Sequence, residues 1–560
     1  MRNSVACAVL AAASLLGAAP QLARQIDLTR YFPSSAAEAA SRAKTIGDAE
    51  AFARSPAPTT ATAWLRWLQT HDELLRRLER HDIYVYLRAE EDDEDTSDAE
   101  TDDRLGDLEG RINDRLASAA RELGADRLAR LSATFLLRPY RYFLNASLAR
   151  GAHLLGPAEQ RTAQVVAQPV LDVAAGGYKA LRKSAGSVAS DRNAYAALLV
   201  SIVAARNGVA RLRGFSGAPE ASYFDKSISP ASVDRALAAI RGSVAYARFR
   251  HVEDLAPRPA FSPPLLSLDR AIGLILDAEQ RMGPQYAGAY AALLDPHDAR
   301  VEICEGPRCD RTGFSVGFAG AESGVYYSGY NGSVNSARAL AHECGHAVHR
   351  QFMNRNQPIA AYNQGPTFMF ESFAIFNELL FLDHLYATAP DTKQRAYYLD
   401  AFLNDATFQI FGSAEETDLE SAIYRGVVGG TVRTAGDLES LTTEVLGRYD
   451  PVGATAPGAD LYWAKDRLFF ADPLYDVSYL YAGLLSVRYF ADFEANPKAF
   501  STRYVALLRN GFTDTPQALE RKFLGIDLAN EAALVAGAAA FIEARTATLL
   551  QLYSNGTSGR

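Results

Sequence analysis

The chain has 560 residues, 48% of them hydrophobic and 22% charged, which is ample for a large globular body and too long for one simple core. A net charge of −9 and a pI near 5.6 argue against a nucleic-acid partner, which asks for a basic face. At the N-terminus Arg2 precedes an apolar run, residues 5–19, and then Pro20 to Arg24. This pattern predicts a signal peptide over residues 1–23, cleaved between Ala18 and Ala23, and hence export to the periplasm or the medium. The run is too short to cross a bilayer, and no later stretch is expected to reach the roughly 18 apolar residues that a span needs.

Residues 24–190 read as an N-terminal helical region. Helical spacing runs from Leu28 to about Gly124, broken by stretches such as SPAPTTATA. The acidic run EEDDEDTSDAETDD, residues 90–103, reads as a solvated face or loop, since no Asp-x-Asp-x-Asp-Gly calcium loop accompanies it. Further helical patterns cover residues 191–249, a Pro-rich break covers 256–264, and two more helices follow in LSLDRAIGLILDAEQRMGPQYAGAYAALL. The β signal is confined to VEIC, TGFSVGF and GVYYSGYNGSVN, rich in Val, Tyr and Phe and punctuated by Gly, as hairpin strands are. In an exported protein CEGPRC reads as a small Cys304–Cys309 disulfide across a Gly-Pro turn, which leaves Cys344 unpaired and packed in the core.

The chemistry sits in SARALAHECGHAVHR, residues 336–350. His342 and His346 lie one helical turn apart and can present both imidazoles to one metal ion. Glu343 lies about 100° further round, where a carboxylate can take a proton from an attacking water. Asn335 and Ser336 are the expected caps. The bland alternative, two surface histidines beside an ion pair, requires a chance match in a chain with only nine histidines. A zinc enzyme needs a third protein ligand and an open position. The pattern H-E-x-x-H-x-x-G-x-x-H fails, because His349 stands in the glycine position and Phe352 in that of the third histidine. That leaves a carboxylate on a second helix: Glu371, in FESFAIFNELLFLDHLY, with Glu378 seven residues on and close to the same face.

HECGHAVH, followed at this interval by FESFAIFNELL, resembles the oligoendopeptidase F and thimet oligopeptidase family of zinc metallopeptidases. The resemblance runs from about Leu75 to Ala540 and is most specific over residues 342–378. It implies one Zn²⁺ per chain on His342, His346 and Glu371, with Glu343 as catalytic base; Glu378 matches the family's second glutamate and reads either as orienting a ligand or as a plain buried ion pair. It also implies that residues 191–555 form the catalytic domain of a mainly α, two-lobed, zincin-type fold. A small sheet would lie beside the HExxH helix, at a deep substrate cleft. An exposed edge strand of that sheet would pair with an extended peptide, and residues 324–331 are the candidate edge. Tyr475, Tyr479 and Tyr481 fall in a segment like the family's tyrosine-rich one, whose hydroxyls would stabilise the oxyanion. The YDVSY register favours Tyr475 and Tyr479, the YAG register favours Tyr479 and Tyr481, and plain core packing is the alternative for each. The family's histidine just before these tyrosines is missing: no histidine follows His384, and Asp472 cannot replace it unless protonated. The expected function is an exported zinc endopeptidase acting on short unstructured peptides, with no nucleic acid and no membrane span. The alternative is a catalytically weakened, zinc-containing peptide-binding protein. Oligomeric state is left open.

Overall fold

The computed structural model describes residues 24–91, 96–183, 186–256, 258–304 and 312–557, so the expected signal peptide and Cys309 lie outside the described residues. Helical apolar spacing near the N-terminus produces the helices Ser35–Ala53, Ala61–Glu91 and Thr96–Leu123. The last two form a hairpin that buries Leu74, Leu78 and Val85 with Leu105, Leu108 and Ile112. The acidic run is therefore not a loop over its second half: residues 96–103 open the second arm of the hairpin. There Asp102 meets Asp82, and burial followed by the Asp102 charge pushes Asp82 up to about 9.

The one sheet among the described residues has strands β1 (Val301–Cys304), β2 (Gly313–Phe318) and β3 (Ala321–Ser328), in the order β1-β3-β2. β2 and β3 form the expected hairpin, whereas β1 runs parallel to β3. β3 is thus central, and residues 324–331 are not the free edge expected of them, because β3 is hydrogen-bonded on both sides. The outer side of β1 is covered as well. Ile303 N–H donates to Arg24 O at 2.9 Å, and Asp27 N–H donates to Ala299 O at 2.9 Å. The strand with an unpaired outer side, among the described residues, is β2. A bulge between Val316 and Phe318 sets Gly317 at φ +138°, where a Cβ would fall 2.8 Å from Ser323 Cα, so only glycine fits. Alternation along β3 sends Tyr326 to the core shared with the N-terminal helices and Val325 to the main core with the metal helix.

Three helices build the centre: the metal helix Val334–Asn356, the glutamate helix Thr367–Thr388 and the tyrosine helix Asp476–Ala495. The metal helix is capped by Ser333, not by Asn335 or Ser336. Extended backbone at Ser333 lets its Oγ accept Ser336 N–H at 3.1 Å. The glutamate helix is apolar on every side and almost wholly buried, as its composition requires. It packs against both other central helices. The metal helix meets it at Gly345, where a Cβ would stand 2.7 Å from Asn377 Nδ2 and 3.0 Å from Ala374 Cα. Asn377 cannot easily yield, because it donates to Phe373 O at 2.6 Å and accepts from Tyr286 OH at 3.0 Å. Cys344 is a buried free thiol beside this contact, and Cys304 is in a disulfide.

One expectation about long apolar segments is corrected. The helices Val188–Leu212 and Glu531–Asn555 are long and apolar enough to cross a membrane. Each nonetheless lends a face to a core: Leu199, Ile202 and Val203 to one, and Leu534, Ile542 and Leu549 to another.

Gly345→Ala should therefore cost about 1–3 kcal/mol of stability, read as a lower denaturant midpoint. Gly47→Ala, in the helix Ser35–Ala53 with nothing within 4 Å of the new methyl, should leave the midpoint unchanged or raise it slightly.

Candidate active site and metal centre

Local helix geometry brings three ligand atoms to one point. His342 Nε2 and His346 Nε2 are 3.1 Å apart, and Glu371 Oε2 lies 3.4 Å from the first and 3.5 Å from the second. Ligands bound tetrahedrally at 2.0–2.1 Å stand about 3.3 Å apart, so the triangle fits a zinc-sized ion without rearrangement. Glu371 Oε2 is buried and has no hydrogen-bond partner, although Oε1 accepts from Tyr475 OH at 2.6 Å. Burial works against a charged Glu371, yet the two imidazoles hold its carboxyl well below the usual range. An orphaned, ionised carboxylate oxygen facing two imidazole nitrogens is a donor set that suits a cation. The ligand side chains are 16%, 12% and 8% exposed, so the site is recessed and still reachable.

The surroundings orient these ligands. Glu378 Oε1 accepts from His342 Nδ1 at 2.5 Å, which fixes the tautomer and leaves Nε2 with a free lone pair. Arg338 pairs with Glu378 and, at 2.7 Å, with Asp405. Glu343 lies against the start of β2, where a Cβ on Gly313 would stand 3.0 Å from Glu343 Oε1. Burial, with a contribution from Glu371, pushes Glu343 up to about 7, while His342 and Arg350 pull the other way. Arg350 reaches Ser315 Oγ and Gly317 O, each at 3.3 Å, and its charge also acts on Glu79 and Glu371. His349 is buried against Phe370, Phe373 and Phe512 and is held neutral by burial, a packing role and not a ligand's.

The three tyrosines separate. Tyr475 and Tyr479 lie one turn apart with ring centroids at 5.1 Å and planes tilted by 60°, and the hydroxyl of Tyr475 is already engaged by Glu371. Tyr479 feels the charges of both Glu371 and Glu343. Burial first, and then Glu371, raises both phenols, so each keeps its proton. Tyr481 is not brought to the cluster. It lies about 200° round the helix from Tyr479, packs on Phe368 and faces Ser232 and Glu531. The YDVSY register is the one that reaches the site. Asp472 is exposed and paired with Arg467 at 3.1 Å, so it supplies nothing there.

Residues 327–538 match the family model for Peptidase family M3. The matched stretch is similar to an M3 peptidase domain, and it holds His342, Glu343, His346, Glu371, Glu378, Tyr475 and Tyr479. The chain is 27% identical over 196 residues to the chromosomal oligoendopeptidase F of Lactococcus lactis subsp. cremoris, a match covering 34% of this chain and 31% of that protein. It is 24% identical over 301 residues to an oligoendopeptidase F homolog of Lactococcus lactis subsp. lactis, covering 50% and 48%. The chain thus spans less than half the length of these relatives. The fold of the chain resembles that of oligoendopeptidase F from Enterococcus faecium, with a TM-score of 0.61 at 17% identity, over 92% of this chain and 97% of that one.

Arg338 and Arg350 escaped the reading of the motif. Their signal was present: residues 338, 342, 346 and 350 recur every fourth position, so both arginines share the ligand face.

Glu378→Gln should weaken zinc affinity about 10–100-fold, read by competition with a chromophoric chelator. In metal-free protein the raised Glu343 carboxyl penalises the folded state as pH rises from the usual glutamate range towards 7, and has no effect below that range. Glu343→Gln should then gain stability over wild type at pH 8 and show no gain at pH 4, in paired denaturant curves.

Proposed function

We propose that the chain is a zinc-dependent oligopeptidase, exported from the cytoplasm, that cleaves short unstructured peptides. The observation that carries this reading is the convergence of His342, His346 and Glu371 on one point, with Glu343 poised near neutrality beside them. The similarity to proteins named oligoendopeptidase F supports it.

A zinc ion held by those three residues would supply Lewis-acid polarisation of the scissile carbonyl and make a bound water easier to deprotonate. Glu343 takes the proton from the attacking water and passes it to the leaving amine, which its place beside the ligand residues allows. Tyr479 offers a neutral hydroxyl to the carbonyl oxygen as negative charge builds there. Tyr475 is a positioning residue: by occupying Glu371 Oε1 it leaves Oε2 directed at the imidazoles. The outer side of β2 begins beside Glu343, so an extended peptide added there would be held through its main chain across the base, with little demand on its side chains. The N-terminal sequence pattern and the disulfide at Cys304 both favour an oxidising, extracytoplasmic location.

A second reading, a zinc-containing peptide-binding protein without turnover, is favoured by one observation. No histidine lies between His384 and Tyr475, and Asp472 turns to the surface, so the extra donor that the family resemblance leads one to expect just before the tyrosines is missing.

The decisive experiment incubates zinc-loaded protein with quenched peptides of about five to fifteen residues, a length range set by the recessed site. Wild type should cleave. Glu343→Gln and chelator-treated wild type should not, while zinc content in Glu343→Gln stays at one per chain. A zinc-loaded wild type that binds but never cuts would establish the second reading. Tyr479→Phe should lower kcat about 10²–10³-fold with little change in KM. Tyr475→Phe should show its main effect as weaker zinc binding.

A further inference from the structure

A second group of acids converges away from the zinc ligands. Glu416 on the helix Ser413–Gly429, Asp466 in the turn after Lys465, and Asp476 at the start of the tyrosine helix each place one carboxylate oxygen within 4.8 Å of the others. Asp476 is fully buried, and neither of its oxygens has a hydrogen-bond partner; one oxygen of Asp466 is likewise unpartnered. The remaining contacts are few. Tyr462 OH donates to Glu416 Oε1, and Leu468 N–H donates to Asp466 Oδ1 at 2.8 Å. Glu420, one turn beyond Glu416, accepts Leu474 N–H at 2.8 Å. The cation nearest in sequence, Arg467, is turned outward onto Asp472. Burying several carboxylates without donors is costly unless they are protonated or hold a cation.

We propose that Glu416, Asp466 and Asp476 form a second metal site, for a calcium-sized divalent cation. The donor set is all oxygen, which suits a hard ion and gives zinc no advantage. The three oxygens, all within 4.8 Å of one another, can meet one ion; Ca²⁺ accepts irregular sites built from protein carboxylates, whereas Mg²⁺ demands a near-ideal octahedron and usually keeps several waters, so this buried cluster suits calcium better. Burial and then the Asp466 charge push Glu416 up to about 8, and burial with Glu416, Asp466 and Glu420 raises Asp476 well above the usual carboxylate range, a repulsion that a divalent cation removes. The ion would fasten residues 466–476, the segment that delivers Tyr475 to Glu371. That segment contains Leu474 at φ +67°, a left-handed conformation that a leucine adopts only when its surroundings hold it.

The test titrates calcium into the zinc-loaded full chain and reads bound metal after dialysis together with the thermal midpoint. Wild type should take up one calcium per chain without losing zinc, and its midpoint should rise to a plateau. Asp476→Asn should abolish the uptake. Should that buried variant fail to fold, Asp466→Asn decides: on a half-buried turn, it should keep its zinc and bind calcium at least tenfold more weakly. No uptake by wild type at about 10 mM calcium, well above the weakest range for such sites, would overturn the proposal and leave the carboxylates sharing protons. Calcium binding unchanged in Asp466→Asn, or magnesium preferred over calcium, would overturn it as well. None of these readouts depends on peptide cleavage.

Discussion

Glu371 has to remain ionised inside a helix that is apolar on every side. A buried carboxylate is costly by several kcal/mol unless it is neutralised, and most of the centre exists to meet that demand. Two imidazoles face one of its oxygens, and a tyrosine hydroxyl holds the other. The imidazoles in turn require their own orientation, which Glu378 supplies to His342 and Arg338 supplies to Glu378. Gly345 then lets the two helices approach closely enough for these groups to meet at all. Removing any link leaves a charge without a partner, which explains why the polar chain is continuous from Asp405 through Arg338, Glu378 and His342 to Glu371.

The same rule shapes the flank of the site. Arg350 is drawn from the metal helix into contact with the sheet, where its charge acts on Glu343, Glu371 and Glu79. Arginine suits this position because its guanidinium stays charged when desolvated and its planar fork can serve several acceptors. The ligand face of the metal helix therefore alternates in purpose, with an arginine, two histidines and another arginine, each stationed over a carboxylate from a neighbouring element.

Much of this was legible in the sequence because it is local. The spacing of His342, Glu343 and His346 follows from helix periodicity, and the apolar run around Glu371 marks a buried helix with an acid inside it. The mainly α class followed from the same patterns. What could not be read depended on partners distant in the chain. Strand order is such a case: nothing in GVYYSGY says that β1 will pair on its far side and make it central. Ser333 became the cap because backbone geometry places it there, although Asn335 is an equally good capping residue by type. Tyr481 was separated from Tyr475 and Tyr479 only once the start of the tyrosine helix was known, since the loop ahead of it sets which face turns inward.

The sheet beside Glu343 has a further consequence, in the order of assembly. Its β1 edge is closed by residues 24–27, through contacts such as Ile26 N–H to Glu302 Oε2, which join positions 276 residues apart. Contacts of such long sequence separation form late, because the chain between them must first be made and brought together. A chain that is still being synthesised has its N-terminal segment waiting and its sheet unfinished until β3 has been made. The platform next to Glu343 is thus completed only after the chain has been made as far as Ser328, a little more than half its length, and the glutamate and tyrosine helices then fold against a sheet that is already closed.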